Sequence, residues 1–172
     1  MGRRRIALVY GTAALVVAAD QLVKWLVVSR LAGRAPLRLV GHFIQFRYTT
    51  NSGGAFSLLT GFPLFFGLMA LGVMVAIGLY ARRTTFAPIL FTLGLLLGGA
   101  LGNFADRLLR GDGLLNGEVV DFVDVGNFPV FNVADSCITI GAILLAILLT
   151  RAELRGDAAD DRPEDDAEHA GR

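Results

Sequence analysis

The chain has 172 residues, 54% of them hydrophobic, with a formal net charge of +1. That composition excludes an ordinary soluble domain of this size and points to a bilayer as solvent. The near-neutral charge excludes a broad basic field, so nucleic acid is not an expected partner.

Met1 to Arg5 is a basic start, followed by the apolar stretch Ile6 to Ala19. Val17-Ala18-Ala19 resembles the small-residue cleavage site of a secretory signal peptide. Apolar character resumes beyond Asp20, however, through Leu22, Val23, Trp25, Leu26, Val27 and Val28. As a helix, residues 6–28 reach about 34 Å, enough to cross a bilayer, and the expectation is a retained first span. Asp20 and Lys24 lie four apart on it, acid first, the favourable order for a helical pair. They read either as a neutralised pair near the interface with the lysine snorkelling outward, or as a polar wall facing a cavity.

Residues 29–61 are too polar for a span, carrying Arg30, Arg34, Arg38 and Arg47 between short apolar pieces. His42 to Thr50 alternates loosely and predicts a short strand. Asn51-Ser52-Gly53-Gly54-Ala55-Phe56 follows as a turn, an arrangement an ordinary surface hairpin also explains. Ser52 has no histidine or lysine at a spacing that supports a nucleophile, although His42 stays open as a base.

Second and third spans are expected over 63–80 and 86–108. Gly98 and Gly102 have the small-xxx-small spacing that lets a neighbouring helix come close. Asn103, Asp106, Arg107 and Arg110 gather at the end of the third span, with Asp106 and Arg110 again four apart. A glycine-rich loop, Leu108 to Glu118, leads to Val119-Val120-Asp121-Phe122, and Phe131-Asn132-Val133-Ala134-Asp135 opens a fourth span over 133–150. Cys137, the only cysteine, lies in that span, excludes an intrachain disulfide and reads as a packing residue. From 152 to 172 the chain is acidic without apolar pattern and predicts a disordered tail.

The expected whole is a single membrane-embedded domain over residues 1–151, with four transmembrane helices and polar loops at 29–61 and 109–132. Basic clusters nearest the span ends place both termini in the cytoplasm. Asp20 with Lys24, the Asn51 turn, Asn103 to Arg107, Asp121, and Asn132 with Asp135 then face one side of the membrane. A shared cavity near the outer leaflet accounts for this convergence.

Two carboxylates close together in such a cavity cannot both ionise, so they share a proton. One then takes a proton from water while the other protonates a leaving group, which hydrolyses a peptide bond without a covalent intermediate. Asp121 and Asp135 are the candidates. Asn132 as a helix N-cap and Asp135 as a helix-start carboxylate is a structural explanation compatible with this role. It favours Asp135 as base and Asp121 as acid. Asp124 is the decoy, placed beside Gly126 and Asn127 in what reads as a solvated turn. No cofactor is expected and no metal either, since His42 and His169 are the only histidines.

These residues resemble the motif set of the bacterial prolipoprotein signal peptidases, the type II signal peptidases. The matching stretches are Asp20-Gln21 with Lys24, Asn51 to Phe56, Gly98 to Asn103 with Asp106-Arg107, Val119 to Phe122, and Phe131 to Asp135. The resemblance implies a four-span inner-membrane aspartic endopeptidase with a small extracytoplasmic β-structured cradle. Its substrate would be a lipid-modified prolipoprotein, cut just before the diacylglyceryl cysteine, among membrane lipids and by a monomer. It implies Asp121 and Asp135 as the catalytic dyad, with Asp20, Lys24, Asn51, Gly53, Asn103, Asp106, Arg107 and Asn132 supporting or lining the substrate cleft. Inhibition by the cyclic peptide globomycin is implied too. The loop from Leu108 to Glu118 departs from the family by about six extra residues, a length a loop tolerates. Two other readings compete: a proton-coupled transporter, against which the acids sit at span ends, and a structural subunit, which leaves the polar convergence unexplained.

Overall fold

The computed structural model describes residues 3–53, 63–113 and 115–160. In chain order the elements are α1 (Arg3–Leu31), β1 (Leu37–Val40), β2 (Ile44–Asn51), α2 (Pro63–Ala81), α3 (Ala87–Leu109), β3 (Val119–Val125) and α4 (Val133–Asp160). The expected architecture is therefore present: four helices and a small β-structured element. Among the described residues, three helices are long and apolar enough to cross a membrane: α1, α3 and the Val133–Leu154 part of α4. Helix α2 contributes the shorter apolar stretch Gly67–Ala81 within its 19 residues. Those 19 residues rise about 28 Å, within the range of a spanning helix.

Helix α3 is the centre of the bundle. Its span is 56% buried, against 22% for α1 and 11% for α4. Glycines make that possible. A Cβ on Gly94 would meet the Thr12 side chain at 2.6 Å, and one on Gly98 would meet Val16 at 2.6 Å and the Ala13 carbonyl at 2.8 Å. The stripe at four-residue spacing thus presses α3 against α1, as the small-residue pattern predicts. Val9, Ala13, Leu90, Leu93 and Leu97 fill the seam. Outward-facing residues such as Leu15, Leu68, Val75, Ile143 and Ile147 are exposed, as a lipid-facing surface requires.

The strands form one antiparallel sheet in the order β1-β2-β3. Alternation along β3 sends Val120 and Phe122 onto Val27 at the end of α1 and turns Asp121 to the other face. On β2 an extra residue between Phe46 and Thr49 shifts the register, so that Gln45 pairs with Asp124 while Thr49 pairs with Asp121. The loop between α3 and β3 folds back on α3: the Gly117 N–H donates to the Arg107 carbonyl at 2.9 Å.

One expectation needs correcting. The tail from residue 152 begins as helix, because α4 continues to Asp160. The membrane helix supplies the nucleus, and Ala152, Glu153, Leu154 and Arg155 are good helix formers that extend it. Residues 161–172 lie outside the described part, as do Gly54, Ala55, Phe56 and His169. Of the two readings left open for Asp20 and Lys24, the snorkelling one is excluded: both are 0% exposed, sealed against α3.

Candidate active site

Asp121 sits mid-strand on β3 and Asp135 in the first turn of α4, and Asn132 joins them. The Asn132 side-chain carbonyl caps the helix by accepting the Asp135 N–H at 2.9 Å. Asp135 answers by accepting the Asn132 N–H at 3.2 Å, a reciprocal capping box. With its oxygen so engaged, Asn132 points its amide nitrogen at Asp121 Oδ1, 2.7 Å away. The capping role and the bridging role are therefore one arrangement.

Two more asparagines complete the surroundings. Asn51 donates to Asp121 Oδ2 at 3.1 Å and accepts the Gly53 N–H at 2.9 Å, which fixes its turn. Asn103 donates to Asp135 Oδ1 at 2.7 Å. Gly53 in turn offers its carbonyl to the Arg107 guanidinium at 2.9 Å, tying the turn to α3. Asp121 is 2% exposed. Burial, and after it the Asp135 carboxylate, push Asp121 up to about 6, against the N–H donors of Asn51 and Asn132 and the charge of Lys24.

Behind this lies a buried ionic cluster. Lys24 Nζ bridges Asp20 at 2.9 Å and Asp106 at 2.7 Å. Each carboxylate also holds backbone of the active segments: Asp20 accepts the Ala134 N–H at 3.0 Å, and Asp106 accepts the Val120 N–H at 3.2 Å. Arg110 pairs with Asp106 at 2.8 Å, as its four-residue spacing predicts. Gln21, part of the Asp20-Gln21 motif but not among the expected site residues, brings its amide nitrogen to Asp20, the Gly102 carbonyl and Asp106. Gly102 must lack a side chain because a Cβ there would lie 2.7 Å from Asp20 Oδ2.

All ten sequence-predicted site residues thus fall in one connected set. Asp124 stands apart, and its expected environment is corrected. It lies within β3, and there accepts Gln45 at 2.8 Å and Arg47 at 2.6 Å. The Gln45 hydrogen bond first, and then Arg47, hold its carboxyl below the usual range. Gly126 and Asn127 misled because the strand ends just before them, not before Asp124.

Two cavities meet at Asp121. One, about 530 Å³, runs along the sheet past Arg47, Thr49, Thr50, Asn51 and Ser52. The other, about 570 Å³, reaches Asp135 and continues over Phe131, Ile138 and Ile140 on the lipid side of α4. Asn51, Asp121 and the segment from Phe128 to Val130 line both. No cluster of groups suited to a metal ion occurs among the described residues. The arrangement can hold a chain that is polar at one end and apolar at the other, with two carboxylates at the junction.

The family model for Signal peptidase (SPase) II matches residues 12–151. A lipoprotein signal peptidase of Streptomyces coelicolor is 41% identical over 150 residues, covering 87% of this chain and 74% of the relative. That of Rhodococcus jostii is 43% identical over 145 residues, covering 84% and 73%. That of Mycobacterium tuberculosis is 41% identical over 145 residues, covering 84% and 72%. Among solved structures, one bacterial membrane enzyme superimposes with a TM-score of 0.72 at 31% identity, covering 89% of this chain and 90% of its own. A second gives 0.67 at 34% identity, covering 80% and 89%.

Proposed function

Since the chain belongs to the signal peptidase II family, we propose that it is an aspartic endopeptidase of the bacterial inner membrane. Its substrate is a diacylglyceryl-modified prolipoprotein, which it cuts just before the lipidated cysteine. The observation that carries this reading is the Asn132 bridge, which holds the buried Asp121 and the half-buried Asp135 on the wall of one cavity.

The chemistry follows from the protonation states. Asp121, pushed up to about 6, carries the shared proton, and Asp135 acts as the base. Water, held between them, gives a proton to Asp135 as its oxygen attacks the scissile carbonyl carbon. Asp121 then gives its proton to the amide nitrogen, the C–N bond breaks, and an acid and an amine leave. The proton now on Asp135 returns to Asp121 to restore the pair. The cavity along the sheet suits the extended segment around the cut, and the apolar one over α4 suits lipid or signal-peptide hydrocarbon. Both termini lie in the cytoplasm, the dyad sits near the outer leaflet, the working unit is a monomer, and globomycin competes for the same cleft.

The test is cleavage of a diacylglyceryl-modified preprotein by purified enzyme carrying Asp121→Asn or Asp135→Asn. Each variant should be folded and inactive, and near wild-type turnover by either removes that residue from the dyad.

A further inference from the structure

Beside the two aspartates lies a cation that hydrogen-bonds to neither. Lys24 is 0% exposed and, besides its two carboxylate partners, donates to Asn103 Oδ1 at 3.0 Å. Neutralising Asp20 and Asp106 does not require that third contact. An ammonium has donors only, so Asn103 must turn its carbonyl oxygen toward Lys24. Its NH2 is thereby aimed the other way, at Asp135. Asn132 reinforces the choice, since its own amide nitrogen also donates to Asn103 Oδ1, at 3.1 Å. Both asparagines then present N–H, and not carbonyl, to the aspartates.

We infer that Lys24 is a positioning residue that sets the direction of this asparagine relay and so keeps Asp135 able to accept a proton from water. The inference rests on the dyad reading above. Without the ammonium, the Asn103 amide can turn over and offer its carbonyl to Asp135. A carboxyl facing a carbonyl is stabilised in its protonated form, since only then can it donate. Water then loses its base while the cleft and its apolar walls are unchanged.

The charged groups facing Asp135 are Lys24 and Asp20 from α1, Arg107 from α3 and Asp121 from β3. The experiment uses the full chain in detergent or nanodiscs with a diacylglyceryl-modified lipobox peptide, and compares Lys24→Arg, the charge-balanced pair Lys24→Met with Asp20→Asn, and Asn103→Ala. The balanced pair should lower kcat about 100-fold with KM nearly unchanged, the scale of a lost proton-transfer group. The acid limb of its pH–rate profile should move up by about one unit, because a cation and an N–H donor are both lost to the carboxylate. Lys24→Arg, still donor-only, should keep the wild-type limb. If the balanced pair does not fold, Asn103→Ala carries the test: every charge stays, and the limb should still move up. An unmoved limb in Asn103→Ala, or in a folded balanced pair, overturns the inference whatever the loss of rate. Asp121→Asn and Asp135→Asn run alongside: if they cleave, the dyad reading itself fails, and if they are inactive while the limb stays put, only the role of Lys24 fails.

Discussion

Two sets of aspartates meet at the sheet end of the bundle, and their partners differ in kind. Asp20 and Asp106 clasp Lys24 at 2.9 and 2.7 Å. Asp121 and Asp135 are held instead by the amide nitrogens of Asn51, Asn103 and Asn132 and by one backbone N–H, and neither is in an ion pair among the described residues. The first set has a full positive charge in direct contact with both carboxylates. The second is in direct contact only with partial charges, which orient a carboxylate without binding a counter-charge to it. The difference divides the site into a scaffold that holds backbone in place and a pair left free to exchange a proton.

The largest effect should come from the pair. Asp121→Asn or Asp135→Asn should lower kcat by at least about 10³-fold, as loss of an acting group does, with melting temperature in detergent little changed. The scaffold should behave the opposite way. Lys24→Met alone leaves two buried carboxylates without their shared cation, a loss of about 3–5 kcal/mol. That variant should show as reduced yield from membranes and a lower melting temperature. If instead it were stable and merely slow, the division between scaffold and pair would collapse.

Gly102 tests how tightly the scaffold is packed. Its missing side chain makes room for Asp20, and an added methyl would lie 2.7 Å from Asp20 Oδ2 and 3.3 Å from Ala134 Cβ. Gly102→Ala should cost about 1–3 kcal/mol by overpacking, seen as a lowered melting temperature with residual activity. Asp121 sets the pH test. Its carboxyl is raised to about 6, so the protonated form, which the proposed mechanism needs as donor to the leaving nitrogen, is present below that pH and lost above it. Single-turnover cleavage should therefore fall as pH rises beyond about 6, approaching tenfold per unit. A rate still rising between pH 6 and 8 would assign the shared proton elsewhere.

Much of this was legible in the sequence, for identifiable reasons. Uninterrupted apolar runs gave the helices, and isolated carboxylates beside them marked Asp121 and Asp135. The four-residue spacings gave Asp20 with Lys24 and Asp106 with Arg110, because helical geometry makes such neighbours local. What could not be read were contacts across many residues. The hydrogen bond from Val120 N–H to Asp106 depends on how α3 meets β3. The pairing of Asp124 with Arg47 depends on the register of β2. The continuation of α4 to Asp160 was hidden for another reason: charge pattern identifies a solvated segment but does not distinguish a solvated helix from a coil.

Asp124 gives the smallest effect and the most direct contrast, since it shares a strand with Asp121. Its partner Arg47 is 40% exposed on its side chain, against 11% for Asp124, so the pair is open to water and screened at its arginine end. Gln45 supplies a neutral hydrogen bond to the same oxygen, and an asparagine at 124 keeps a side-chain carbonyl to accept both. Asp124→Asn should therefore lose about 1 kcal/mol of stability, the scale of an ion pair with one partner in water. Cleavage should stay within about threefold of wild type, the residue being outside the set that reaches Asp135. It lines the sheet-side cavity with Asp121, however, so a modest rise in KM is compatible with lost contact to the extended substrate. A collapse of kcat would be a different matter: it would mean that the carboxylate held by Arg47, and not the one bridged to Asp135, carries the reaction.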